Sequence, residues 1–195
     1  MKNGMSMEFA ITGNEGVIGV ASFLGDGSTL SEAVVLIPGH AYRLSAALMQ
    51  HELERCGALP RLLMRYTQAL ITQAGQSAVC NRHHSLEQRL CRWILSCLDR
   101  LPASEVTITQ EVIGKLLGTR RESITAVAAA LQRQGLIRCR RGRIAVLDRL
   151  QLEARACECY AVVKRECARL LAGNRVRQSI MHSGLPKAGV LETGI

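Results

Sequence analysis

The stretch that decides the fold is residues 107–146, TITQEVIGKLLGTRRESITAVAAALQRQGLIRCRRGRIAV. Thr109 precedes an apolar pattern of Val112, Ile113, Leu116 and Leu117, which predicts a capped helix over 110–117. Gly118 ends it, since glycine enters the left-handed region at least cost. Thr119 and Glu122 stand three apart, the spacing of a capping box, and predict that Thr119 caps a second helix. That helix should bury Ile124, Val127, Ala128 and Leu131 and end near Gly135. Two short helices joined by a tight glycine turn form a helix-turn-helix. Two short strands follow, Leu136–Cys139 and Ile144–Val146, joined through Arg140-Arg141-Gly142-Arg143. They predict a β-wing that carries Arg138, Arg140, Arg141 and Arg143.

Residue chemistry points this motif at duplex DNA. The second helix opens on Arg120 and Arg121, with Thr125 one turn further on the same side. The first residues of such a helix reach base edges in the major groove, and arginine grips guanine at two points. Arg120, Arg121, Glu122 and Thr125 are therefore the candidates for reading bases. Thr109, Gln110, Ser123 and the four wing arginines are the candidates for phosphate contact. Ala126 and Ala129 keep the helix slim for close approach.

Working outward, Leu86, Leu90, Trp93, Ile94, Cys97 and Leu98 mark an amphipathic helix over 86–100. Aromatics are only 3% of the chain, so Trp93 reads as core and not as a base-stacking platform. Before it, a long helix runs from 58 to about Val79 after an interruption at Gly57. Its residues Leu59, Leu63, Tyr66, Leu70, Ala74 and Ser77 recur at three- and four-residue spacing. That seam fits either a partner copy or burial within one chain. Residues 45–56 predict a shorter helix. Earlier still, 7–12, 33–37 and 40–44 read as short strands and 17–24 as a short helix. Three short strands make a poor core by themselves.

Charge divides the chain in the same way. Residues 1–57 carry a net −3 and residues 58–195 a net +12, within a total of +9. A basic C-terminal part beside an acidic N-terminal part suggests a polyanion-binding module joined to a module of different purpose. No secretory signal and no apolar stretch long enough to cross a bilayer is seen, so a cytoplasmic, soluble chain is expected. Neither a P-loop, a nucleophile elbow, a zincin motif nor a dinucleotide fingerprint is present, so an enzyme is not expected.

The segment ITQEVIGKLLGTRRESI, the following AVAAALQRQGLI and the wing resemble the DNA-binding domain of the Crp/Fnr family. The helix at 58–80 resembles that family's dimerisation helix, and GNEGVIGVASFLG with AVVLIPGHAYRL resembles the end of its β-roll sensor. The resemblance implies a mainly helical α+β chain with four parts. These are a partial β-roll over 1–57, a dimerisation helix over 58–80, a winged helix-turn-helix over 81–172 and a flexible tail over 173–195. It further implies a homodimeric transcription regulator that binds a near-palindromic duplex, with RNA polymerase as a further partner. The alternative is a protein-interaction adaptor whose helix-turn-helix no longer binds DNA.

Position by position, Arg121 and Glu122 match the family's Arg-Glu pair. A further arginine, four residues beyond that Glu, is Ala126 here, which implies a different half-site. Glu122 either accepts from a cytosine amino group or caps the helix. The sensor departs further. Cyclic-nucleotide-binding members neutralise the cyclic phosphate with a β-roll arginine, and no Lys or Arg stands between Lys2 and Arg43. Cyclic AMP is therefore not expected, the effector is unassigned, and the sensor reads as N-terminally shortened.

The eight cysteines are expected to be reduced, partly buried thiols. Iron–sulfur members hold their cluster with N-terminal cysteines, which this chain lacks. A continuous helix over 148–171 would send Cys157 and Cys159 to nearly opposite sides, a poor chelating pair. His83-His84 lies beside Cys80 but would need further ligands. Neither a metal nor a cofactor is expected.

Overall fold

A computed structural model describes residues 6–55, 57–101, 103–172 and the backbone of Gly189–Leu191. The expected tail at 173–195 otherwise lies outside the described residues. The fold is α+β and mainly helical, with a C-terminal helix-turn-helix. The chain forms two compact units.

The larger unit joins residues 6–13 to Leu70–Glu166. Its helices are the later part of α3 (Ala58–His83), α4 (Leu86–Leu98), α5 (Gln110–Leu116), α6 (Arg121–Arg133), α7 (Arg149–Arg155) and the start of α8 (Cys159–Leu171). Three antiparallel strands lie in the order β2 (Glu105–Thr107), β4 (Arg143–Val146), β3 (Ile137–Arg140). The core is built on α4, whose Leu90, Trp93, Ile94 and Leu95 are fully buried. Ile113 and Leu117 from the α5 region, Ile124 and Leu131 from α6, Ile137 and Ile144 from the wing, and Leu152 from α7 close around it. Ser85 caps α4 in a reciprocal box with Gln88, a start signal that the apolar periodicity alone does not report.

Residues 7–12 do not form the expected strand. Their backbone is satisfied by helices instead. Glu8 N–H donates to the Leu116 carbonyl at the end of α5 (2.9 Å), and Ile11 N–H donates to Gln73 Oε1 (3.2 Å). The Phe9 carbonyl accepts from Ser77 Oγ (3.1 Å). Orphan groups at a helix end and polar side chains thus replace a sheet partner.

That docking buries much of the Glu8 carboxylate, which accepts a 2.9 Å hydrogen bond from Trp93 Nε1. Burial raises its carboxyl pKa from 4.5 to about 7, and the Trp93 bond with Arg92 and Arg100 offsets only part of the shift. Between these values the folded state binds more protons than the unfolded one, so stability falls as pH rises toward 7. The penalty is complete above pH 7 and absent below 4.5. Glu8→Gln keeps an acceptor for Trp93. It should raise stability at pH 8 by on the order of 1 kcal/mol after solvent screening, and by nothing at pH 4. Urea unfolding at the two pH values checks this.

The smaller unit comprises Asn14–Ala69 with the residues from Cys167 onward. It holds α1 (Ala21–Leu24), α2 (Ala46–Glu54), the first part of α3, and β1 (Gly39–Ala41) paired antiparallel with β5 (Gly189–Leu191). No strand forms at 33–37, and the expected strand at 40–44 is reduced to β1. The physical reason is a lack of core: neither α1 nor α2 buries a single residue, and Ile18, Leu24, Leu30 and Val34 are exposed. β-branched residues hold a strand only when a second layer covers them. One firm contact is the ring of Tyr66 against Gly16, where a Cβ would fall 2.4 Å from the ring.

Candidate nucleic-acid interface

The helix-turn-helix forms close to where its sequence places it. Thr109 is the N-cap of α5, its hydroxyl accepting from Val112 N–H (3.3 Å). The turn is sharp because Gly118 adopts a φ of 62°. A second glycine, silent in the sequence, sets the spacing of the two helices. A Cβ on Gly114 would lie 3.0 Å from the Thr119 carbonyl and 3.4 Å from the Arg121 nitrogen. Any larger residue there pushes the start of α6 away from α5.

One capping expectation is corrected. Thr119 donates its N–H to the Gly114 carbonyl (2.8 Å) and so belongs to the turn. The N-cap of α6 is Arg120, extended at φ −77° and ψ 148°, with no side-chain cap. Glu122 therefore sits too early in α6 to close a box with Thr119. It stands exposed in the first turn, where its charge favours the helix N-terminus.

Arg120, Arg121, Glu122 and Thr125 are all exposed. Arg120 and Arg121 make no side-chain ion pair among the described residues. Ser123 is half-buried. Thr125 and Gln110, expected to act separately, are joined: Thr125 Oγ1 donates to Gln110 Oε1 (2.7 Å). Inward, α6 buries Ile124, Ala128 and Leu131, while Val127 is half-buried.

The wing pairs Arg138 with Ala145 and Arg140 with Arg143. Ile137 and Ile144 are buried, whereas Arg138, Arg140 and Arg143 are exposed. Two arginines directly opposite on a ladder repel each other. Arg143 pairs with Glu105 at 3.3 Å. Arg138, Arg140 and Arg141 have no acidic partner among the described residues. The hairpin turns through Arg141 at φ 46° and Gly142 at φ 75°. Positive φ at both central residues is the form that matches strand twist, and its first position favours Asn, Asp or Gly. Arg141 is strained there. With Glu105 and Ala145, these four arginines line a groove of about 570 Å³.

The expected seam on α3 is largely covered by the chain itself. Leu63, Tyr66 and Ser77 are buried within the chain, and Leu59, Leu70 and Ala74 are half-buried. The exposed face runs instead through Met64, Gln68, Ile71, Gly75 and Ala78. These alternate four and three residues apart, and Met64 and Ile71 are 66% and 68% exposed. Of the two uses open to the seam in the sequence, a partner copy or burial within one chain, packing shows the second for Leu63, Tyr66 and Ser77.

The cysteine expectation changes as well. The helix predicted over 148–171 is broken: α7 ends at Arg155, Ala156 is extended (φ −69°, ψ 153°), and α8 begins at Cys159. Cys157 and Cys159 are therefore not two steps apart on one helix. Both turn toward Cys80 and His84, and the four ligand atoms lie within 4.8 Å of one another.

Residues 88–155 match the Crp-like helix-turn-helix domain. The chain carries a Crp-like helix-turn-helix domain. Among curated proteins none matches the chain by sequence. Among solved structures, FixK2 from Bradyrhizobium japonicum superposes with a TM-score of 0.54 at 17% identity, covering 58% of this chain and 60% of that one. A CRP-family transcriptional regulator from Thermus thermophilus is 28% identical with a TM-score of 0.48, covering 58% of each chain. A Crp/Fnr-family regulator from Eubacterium rectale is 26% identical with a TM-score of 0.43, covering 56% of this chain and 45% of that one. The chain thus spans about half the length of the solved relatives it matches. The Crp-like domain coincides with the part of the sequence whose motifs resemble Crp/Fnr regulators. Among the described residues, no helix is long and apolar enough to cross a membrane.

Proposed function

We propose that this chain is a sequence-specific DNA-binding transcription regulator of Crp/Fnr type, acting in the cytoplasm as a homodimer on a near-palindromic duplex. The observation that carries the reading is the tip of α6. Arg120 and Arg121 stand at its N-terminus, exposed and without an acidic partner among the described residues. A structural arginine would be paired or packed along its stem, whereas these two are left for an external anion. Arg121 would read a guanine edge, with Glu122 and Thr125 beside it, and Arg120 would reach a base or the adjoining backbone. Thr109, Gln110, Ser123 and the wing arginines would hold phosphates and set the register. RNA polymerase is a further partner in this reading.

Two copies would pair along the exposed stripe of α3, where the small residues Gly75 and Ala78 allow close approach of two backbones. Their recognition helices would then enter successive major grooves about 34 Å apart. Ile71→Glu places a carboxylate in that seam and leaves the chain's own core untouched. The variant is expected to sediment as a monomer where the parent is a dimer, and to bind a two-half-site duplex at least tenfold more weakly. A parent that sediments as a monomer, or a dimeric variant, removes the pairing. The reading as a whole is tested by mobility shift of genomic fragments. Fragment-dependent retardation that weakens with salt supports it, and equal retardation of all fragments counts against it.

A further inference from the structure

Four side chains with no part in DNA contact converge on one point of the larger unit. Cys80 lies in the last turn of α3, and His84 follows its end, its N–H donating to the Cys80 carbonyl (3.1 Å). Cys157 and Cys159 come from the break between α7 and α8. Cys80, Cys157 and Cys159 are almost fully buried. Cys80 Sγ lies 3.4 Å from Cys157 Sγ, and Cys159 Sγ lies 3.6 Å from His84 Nδ1. We propose that Cys80, His84, Cys157 and Cys159 form a mononuclear zinc site that fixes the end of α3 to the α7–α8 junction.

The ligand set, the spacing and the surroundings support one ion of this kind. Three thiolates with one imidazole form a common structural zinc set, closed at four ligands. Tetrahedral bonds of about 2.3 Å hold sulfurs about 3.8 Å apart, and all four ligand atoms here fall within 4.8 Å of each other. A multi-iron cluster spreads its thiolates more widely, and a disulfide needs a sulfur separation near 2 Å. The imidazole is already oriented: its Nε2 lies 3.2 Å from Glu158 Oε1, leaving Nδ1 toward the thiols. A carboxylate behind a ligating histidine fixes the tautomer and raises ligand basicity.

Charge balance agrees. Three thiolates and Zn²⁺ leave a net −1 in a buried place. Arg89 and Arg92 act electrostatically on Cys80, and the Nε atoms of both are buried without a hydrogen-bond partner among the described residues. Arg92 is itself only 8% exposed. An anionic site beside them offsets the cost of holding two guanidiniums in the interior. On binding, the thiol protons go to solvent, three Zn–S bonds and one Zn–N bond form, and no electron is transferred.

The test uses the full chain, purified with reductant and without chelator. Metal analysis should find about one zinc per chain. Exchange with Co²⁺ should give the visible bands of a tetrahedral site with thiolate charge transfer in the near ultraviolet. Cys157→Ser and Cys159→Ser should each lose most of the metal. Cys139→Ser, on the wing, should lose none. His84→Cys keeps four ligands, so it should retain zinc and strengthen the thiolate charge-transfer band, even if the serine variants fold poorly. A parent chain free of zinc after Zn²⁺ addition, an octahedral cobalt spectrum, or a Cys80–Cys157 disulfide formed in the presence of Zn²⁺ overturns the proposal.

Discussion

Arg121→Ala is expected to bind the preferred duplex ten- to a hundredfold more weakly per half-site, while its affinity for unrelated DNA changes only a few-fold. The reason lies at the start of α6. Arg121 is the first helical residue after the Arg120 N-cap, exposed and unpaired by any acid among the described residues. Its substitution leaves α6 anchored through Ile124, Ala128 and Leu131, so the fold should persist. A bidentate arginine contact discriminates a base by about 1–3 kcal/mol, which is the expected loss. Alanine cannot replace either hydrogen bond, so the penalty falls on the matched sequence alone. Anisotropy titrations of a matched and a scrambled duplex measure both affinities. A uniform loss on the two duplexes would move Arg121 from base reading to phosphate contact.

The wing should behave in the opposite way. Arg138→Ala, Arg140→Ala and Arg141→Gly combined remove three exposed cations that have no acidic partner among the described residues. If each neutralises one phosphate, the slope of log affinity against log salt should fall by roughly 2–3 per chain. Affinity should drop for every sequence, by on the order of a hundredfold or more at moderate salt. Folding should not suffer. Glycine relieves the φ of 46° at Arg141, contributing about 1 kcal/mol, and the ladder repulsion between Arg140 and Arg143 disappears. A chain that becomes more stable yet binds DNA less would show that the wing keeps its strain for binding. An unchanged salt slope would place the wing away from the backbone.

The helix-turn-helix was largely readable because its signals are local. Thr109 as a cap, Gly118 as a turn and the inward set on α6 all depend on residues within one turn of each other. Chemistry fixed by neighbours along the chain survives folding. The misses share a different cause. The strand expected at 7–12 carries suitable residues, but Leu116, Gln73 and Ser77, far along the chain, supply its hydrogen-bond partners. The α3 seam was ambiguous because the same spacing serves a partner copy or burial within one chain, and only packing shows that Leu63 and Tyr66 are buried. The thiol–imidazole cluster was obscured by a single residue, Ala156, whose extended backbone breaks an otherwise plausible helix. No periodicity argument reports such a break. Gly114 gave no signal either, since its value lies in what a Cβ would meet on another helix.

The most direct measurement is selection of bound duplexes from a random pool by the purified chain, followed by sequencing. Two inverted half-sites, centred about one helical turn apart and containing a guanine that Arg121→Ala no longer requires, are the predicted outcome. A bound fraction with the composition of the starting pool, even at low salt, would contradict it.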